Sequence, residues 1–150
     1  VTSGFVRFSD LTGREVYNLA RLRQDVFVVE QRCIFHDLDG VDLQSLHYLG
    51  CDGGVLISCI RLVPPNGRFA DPSLGRLAVH PSKRHQGIAT GLVRLGVETC
   101  KSIYPRMDIR LSGQAHLARL YEKCGFEAVS DLYDEDGIPH RDFLFRDDSR

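Results

Sequence analysis

Gly75-Arg-Leu-Ala-Val-His-Pro-Ser-Lys-Arg-His-Gln-Gly-Ile-Ala-Thr-Gly91 decides the reading of this chain. The run predicts a short apolar strand over Arg76 to His80, which Pro81 stops. A basic turn follows, and then a long helix from about Gln86 to Ile103, with Ile88, Leu92, Leu95 and Val97 available to one buried side. A strand that feeds small residues into a helix N-terminus makes an anion cradle. The first N–H groups of a helix lack intrahelical partners, and the macrodipole places positive partial charge there. Lys83, Arg84 and His85 stand beside Gln86, Gly87, Ile88, Ala89 and Thr90. A diphosphate suits that turn, so a nucleotide-containing ligand is expected.

Upstream, Phe5 to Phe8 predicts a first strand, Asp10 an N-cap, and residues 11 to 25 an amphipathic helix. Phe27 to Val29 reads as its apolar end. Residues 32 to 45, with Asp37, Asp39, Gly40 and Asp42, read as a loop or broken helix. Leu46 to Gly50 and Val55 to Val63 predict two strands. Cys51-Asp-Gly-Gly54 joins them, because Asp-Gly and Gly-Gly reach positive φ cheaply. Downstream come a strand over Asp108 to Leu111 and a helix over Ala115 to Lys123 closed by Gly125. Two strands, Phe126 to Leu132 and Arg141 to Phe145, flank a turn at Asp136-Gly137-Ile-Pro139. This order is not the βα alternation of a doubly wound sheet. It predicts an α+β fold with a mixed, largely antiparallel sheet and one parallel pair, where strand, long helix and strand cross over.

The 150 residues fit one domain, residues 1–150, with a sizeable core. A formal net charge of −1 gives no bulk field for nucleic acid, and no apolar run approaches the roughly 18 residues of a membrane span. The start, Val1-Thr-Ser-Gly, lacks both Met and a signal-peptide core, which leaves an upstream segment open. Five cysteines, odd in number and without a C-x-x-C pair, argue against a disulfide framework or zinc ribbon and for a reducing, cytoplasmic setting. His36, His47, His80, His85, His116 and His140 show no metal-ligand spacing, so no metal is expected.

Arg84-His-Gln-Gly87-Ile-Ala89 is similar to the acetyl-CoA signature of the GNAT acyltransferases, Q/R-x-x-G-x-G/A. About thirty residues on, Ala118-Arg-Leu-Tyr121-Glu-Lys-Cys-Gly125-Phe126 resembles the second hallmark of that superfamily, a tyrosine four residues before Gly-Phe. Val26-Phe-Val-Val-Glu-Gln31, Asp39-Gly40 and Tyr133-Asp-Glu-Asp-Gly-Ile-Pro-His140 look like its ElaA-like branch, so the resemblance covers nearly the whole chain.

The resemblance implies the GNAT fold, with helices on both faces of the sheet and a splayed central strand pair. It implies acetyl-CoA as acyl donor and an amine acceptor, with direct transfer between them. By position, Leu77, Ala78 and Val79 would pair their backbone with the pantetheine arm, and the Val79 N–H would polarise the thioester carbonyl. The turn from Arg84 to Thr90 would hold the diphosphate, with Gly87 and the small Ala89 allowing close approach. Gln114, where many relatives carry Asn, would bond the pantetheine; a polar residue at a helix start is the plainer alternative. Tyr121 would be the general acid that reprotonates the thiolate, against the alternative that it packs on the cofactor.

The general base is open among Glu30, His47 and His116. Asp37, Asp39 and Asp42 on one side, and Asp131, Asp134, Glu135 and Asp136 on the other, would form acidic walls favouring a cationic amine, or would be plain solvated loops. Cys124 is the nearest candidate for an acyl-enzyme nucleophile, against a packed thiol. A non-catalytic acyl-CoA-binding module and a ligand-binding domain without CoA are the competing functions. The amine's identity and the oligomeric state, a homodimer included, are left open.

Overall fold

The computed structural model describes residues 4–148; Val1 to Ser3, at the start that lacks a signal-peptide core, lie outside the described residues. The strands are β1 (Val6–Arg7), β2 (Leu46–Asp52), β3 (Val55–Val63), β4 (Ser73–Val79), β5 (Ile109–Gln114), β6 (Glu127–Ala128), β7 (Tyr133–Glu135) and β8 (Ile138–Phe145). The helices are α1 (Gly13–Arg23), α2 (Ile88–Ile103) and α3 (Ala118–Lys123). One sheet runs β1-β2-β3-β4-β5-β8-β6, with β7 paired to β8. All its pairings are antiparallel except β4 with β5, the two strands on either side of α2.

Two apolar clusters lie on the two faces. One packs Leu92, Val93, Val97 and Cys100 of α2 and Tyr121 of α3 against Ile60, Leu62, Leu74, Leu111 and Phe143. The other packs Leu19, Leu22 and Val26 against Cys59 and Ala78. Strand alternation produces this division: Ile60 and Leu62 face α2, while Cys59, just before them, faces α1.

Several element bounds differ from the sequence reading. Thr12, not Asp10, caps α1: its side chain accepts from Glu15 N–H while the Glu15 carboxylate accepts from Thr12 N–H, a complete capping box. Asp10 instead ends a 3-10 turn and pairs with Arg7. Beyond Arg23 the chain continues as a π-helical stretch, Gln24–Glu30, so Phe27 to Val29 are helical. Of the strand expected over Phe126 to Leu132 only β6 forms, and β7 is a separate short strand beyond it. Only Glu127 and Ala128 of the earlier part pair with β8; the chain then leaves the sheet and returns as the Tyr133–Glu135 arm of a hairpin.

β4 and β5 touch through a single pair, Ser73↔Arg110. Beyond it the two strands part, and the β5-facing edge of β4 has no strand partner among the described residues. A bulge starts at the same place. Arg61 opposes Gly75 while Cys59 opposes Ala78, so β4 carries one extra residue there. Arg76 occupies the bulge at φ 49°, which costs about 1–3 kcal/mol for a residue other than glycine. The bulge rephases the strand, so that Leu74 and Leu77 both pack toward α2.

Candidate active site

A cavity of about 960 Å³ runs through the parted strands. One end is the turn that opens α2. His85 (φ 63°) and Gly87 (φ 81°) are both left-handed, and Gly87 caps α2 with no side-chain hydrogen bond. The first N–H groups of α2 are therefore open to a ligand, with the dipole behind them. Gly87, Ile88, Ala89 and Thr90 line the cavity there. The helix begins at Ile88, two residues later than its sequence suggests, because the turn consumes Gln86 and Gly87.

The basic side chains of the turn are engaged. Arg84 donates to both oxygens of Glu30 at 2.5 and 2.6 Å and to the Val79 carbonyl at 2.9 Å. The Arg84 hydrogen bond holds the Glu30 carboxyl below its usual range and raises the guanidinium. Lys83 pairs with Asp52 at 2.7 Å. Arg84 thus clamps the end of β4 to the π-helical stretch, and the backbone of the turn is what remains open to an anion.

Leu77, Ala78 and Val79 form the middle wall. His80 N–H donates to Ile57 O, toward β3, at 2.7 Å. Successive strand N–H groups point to opposite edges, so the Val79 N–H points into the gap between β4 and β5.

Tyr121 stands across that gap. It is buried, 5.0 Å from the Phe143 ring centroid, and its hydroxyl has no hydrogen-bond partner among the described residues. Burial, helped by nearby Cys124, pushes its pKa well above the usual phenol value, so it carries its proton at neutral pH. The Gly-Phe that follows holds it in place. Gly125 N–H donates to Glu122 O and Phe126 N–H to Tyr121 O, both at 3.0 Å, with Gly125 at φ 96°: a Schellman end to α3. Cys124 packs behind the turn with its thiol directed at Thr90 O, and burial pushes its pKa up. Gln114 is the last residue of β5 and stands at the cap of the 3-10 turn Ala115–Leu117, without a side-chain capping bond; it donates to Gln31 Oε1 at 3.1 Å.

The opposite end of the cavity departs from the sequence reading. Asp37 and Asp42 are buried, and with Asp39 they are bound to arginines. Arg23 Nη1 reaches Asp42 Oδ1 at 2.7 Å and Arg23 Nε reaches Asp37 Oδ2 at 2.9 Å. Arg61 bridges Asp39 and Asp42 at 2.9 and 3.0 Å, and Arg76 pairs with Asp37 and Asp39 at 2.8 and 3.2 Å. Burial alone would raise the Asp39 and Asp42 carboxyls, but contacts from Arg61 and Arg23 hold both below the usual range. Three cations balance three anions, so this loop presents no acidic wall. Its work is to fasten the loop to α1, β3 and the β4 bulge.

His47 is sealed beside the same network, with Nε2 2.9 Å from Asp42 O and its pKa lowered by burial. It does not line the cavity; Glu30 and His116 do. Of the second acidic cluster, Glu135 and Asp136 of the β7–β8 hairpin line the cavity, and Asp131 and Asp134 do not. Tyr133 faces His140 and Glu135 faces Ile138, so all four share one side of the hairpin. Glu135, Asp136, Ile138 and His140 line the cavity with Phe35 and Arg68. The sequence reading passed over His140 as a site residue. Its signal was the alternation Tyr133-x-Glu135 and Ile138-x-His140 about an Asp-Gly turn, which puts both titratable groups on one face.

A family model described as "Acetyltransferase (GNAT) domain" matches residues 28–144. A UPF0039 protein of Synechocystis sp. is 39% identical over 141 residues, 93% of this chain and 92% of that protein. Protein ElaA of Escherichia coli is 36% identical over 134 residues, 88% of each. Its crystal structure superposes with a TM-score of 0.88, covering 93% of this chain and 95% of that one. The crystal structure of an acyl-CoA N-acyltransferase from Pseudomonas aeruginosa superposes with a TM-score of 0.88 at 34% identity over the same shares.

Proposed function

This chain belongs to the GNAT acetyltransferase family, and from that premise we propose that it moves an acetyl group from acetyl-CoA directly to a primary amine. One observation carries the reading: a single cavity joins the open N-terminus of α2, the unpaired edge of β4 and the Tyr121 phenol.

The residues suit the donor substrate. The N–H groups opening α2 offer a diphosphate a site favoured by the helix dipole. The free edge of β4 offers a strand-like partner to the pantetheine amides. The acyl donor supplies a thioester carbonyl open to attack. The Val79 N–H stabilises the charge that develops on its oxygen, worth about 3–4 kcal/mol for one such donor. Tyr121, protonated and bordering the gap, returns a proton to the departing thiolate. An acyl-enzyme on Cys124 has less support, because its buried thiol is held protonated. Residues 1–150 act as one acyltransferase domain, and five free cysteines suit a cytoplasmic setting.

The test is free-CoA release from acetyl-CoA over a panel of spermidine, lysine, glucosamine and a peptide with a free N-terminus. Tyr121→Phe is expected to lower kcat about 100-fold or more on any amine that turns over, with CoA still protecting the fold against heat. Tight CoA binding with no transfer to any amine would make the chain an acyl-CoA-binding module instead.

A further inference from the structure

We propose that His140 is the general base that takes the proton from the acceptor amine, with Glu135 as the residue that positions its imidazole; this rests on the acetyl-transfer reading above. A primary ammonium must lose a proton before it attacks, since its pKa lies near about 10.4. The base must therefore sit on the cavity, on the amine's side, with its proton-accepting atom fixed.

Three histidines line the cavity: His85, His116 and His140. His85 belongs to the turn at the anion end, and His116 is exposed with neither ring nitrogen placed by a partner among the described residues. His140 is buried, at 9% exposure, and its ring is held through Nδ1. Nδ1 lies 2.8 Å from the Ile138 carbonyl, which can only accept, so Nδ1 carries hydrogen. Nε2 is left as the atom that gains a proton: it makes no hydrogen bond among the described residues, and the Glu135 carboxylate, with Oε2 at 3.2 Å, orients the ring and favours the imidazolium by its charge. The ring stacks on Tyr133 at 6.1 Å and 30°. Tyr133 is itself tied down, donating to Asp142 at 2.7 Å and bonding Ser112.

Sheet register puts this base across from the acid. His140 pairs with Gln114, and the residue before it on β5, Gly113, is where the Tyr121 ring packs. Alternate residues point to opposite faces, so His140 and Tyr121 stand one step apart along β5 but on opposite faces of the sheet. An amine arriving on the hairpin side meets His140, and a thiolate leaving on the α3 side meets Tyr121.

The charged groups around His140 are few. β7 supplies Glu135, itself 3.5 Å from Arg68 of the β3–β4 connection, and the hairpin turn supplies Asp136. Asp142 on its own strand is bonded to Tyr133. The neighbour on β5 is the uncharged Gln114, which is bonded to Gln31, and Glu30 beside Gln31 is held by Arg84.

The proton count balances. The ammonium gives one proton to Nε2, which passes it to solvent. The freed electron pair forms the C–N bond, and the C–S bond breaks with its pair going to sulfur. Tyr121 protonates the thiolate, and the second proton shed by nitrogen, through solvent, restores Tyr121.

The experiment compares two nucleophiles with acetyl-CoA: the fastest amine of the panel above, and hydroxylamine, which is already unprotonated at neutral pH. His140→Gln and Glu135→Gln are assayed by free-CoA release, with thermal protection by CoA as the folding control. For the protonated amine, His140→Gln is expected to lower kcat/KM about 100-fold or more and Glu135→Gln about tenfold. Hydroxylamine turnover stays within a few-fold, and added imidazole restores a His140→Ala variant. Equal losses on both nucleophiles without imidazole rescue, or a His140→Gln rate within twofold of wild type, would overturn the proposal while acetyl transfer stands. A wild type that binds CoA but acetylates nothing would remove both.

Discussion

A Cβ built on Gly113 would stand 2.5 Å from Cε2 of Tyr121. The phenol ring cannot retreat, because Phe143 backs it at 5.0 Å, and Leu111 Cδ1 lies 3.0 Å from the same Cβ. Gly113 is thus the floor on which Tyr121 rests. Gly113→Ala is expected to destabilise the fold by about 1–3 kcal/mol through overpacking and to lower kcat more than it raises KM for acetyl-CoA. Urea unfolding and steady-state kinetics read the two effects. Unchanged kcat in a folded Gly113→Ala protein would mean that Tyr121 has no fixed place in the reaction.

The turn before α2 depends on Gly87 for its backbone conformation. Nothing lies within 4 Å of a Cβ built there, but φ is 81°. Gly87→Ala is expected to cost about 1–2 kcal/mol as strain or to swing the turn away from the helix end. Calorimetry should show weaker CoA binding, with kcat at saturating acetyl-CoA close to wild type. Wild-type affinity in the variant would place the diphosphate elsewhere.

Arg23 is buried between Asp37 and Asp42, so its removal takes one cation out of a buried network and leaves Asp42 to Arg61 and Asp37 to Arg76. Arg23→Ala is expected to lose about 3–5 kcal/mol. Arg23→Lys keeps the charge but not the fork that spans both carboxylates, and should lose less. Chemical denaturation of the two variants orders them; equal losses would put packing rather than charge in control.

Stability should fall on acidification in two stages. His47 is held below its usual value by burial, and Asp39 and Asp42 are held below theirs by Arg61 and Arg23 against the opposing effect of burial. The unfolded chain takes up these protons near about 6.5 and 3.9, while the folded protein resists them. The unfolded state then binds more protons, and stability decreases as pH decreases. His47 begins the loss below about pH 6.5 and the aspartates add to it below about pH 4. Calorimetric Tm from pH 7.5 to 3 should show both steps, and His47→Gln should flatten the upper one. A flat profile down to pH 4 in the wild type would remove His47 from the account.

Local chemistry made much of this protein readable from residues. Pro81, Gly87 and the apolar spacing that follows specify strand, turn and helix without outside help, because each acts through its own φ/ψ limits or side-chain period. Tyr121 and Gly125-Phe126 are likewise local, since a Schellman end needs only a glycine and the apolar residue after it. Family membership and the nature of the fold followed from those pieces and their order.

Charge partners did not follow. Asp37, Asp39 and Asp42 read as an acidic wall or a solvated loop because Arg23, Arg61 and Arg76, from 14 to 39 positions away, are invisible to any local rule. Glu135 read as part of an acidic cluster and His140 was given no role, until strand pairing set them on one face beside Gln114. Local conformation is decided within a few residues of chain, so the sequence by itself determined the turn, α2 and the helix that carries Tyr121. Which charges are cancelled and which face the cavity depends on distances across the sheet, and only the tertiary structure decided that.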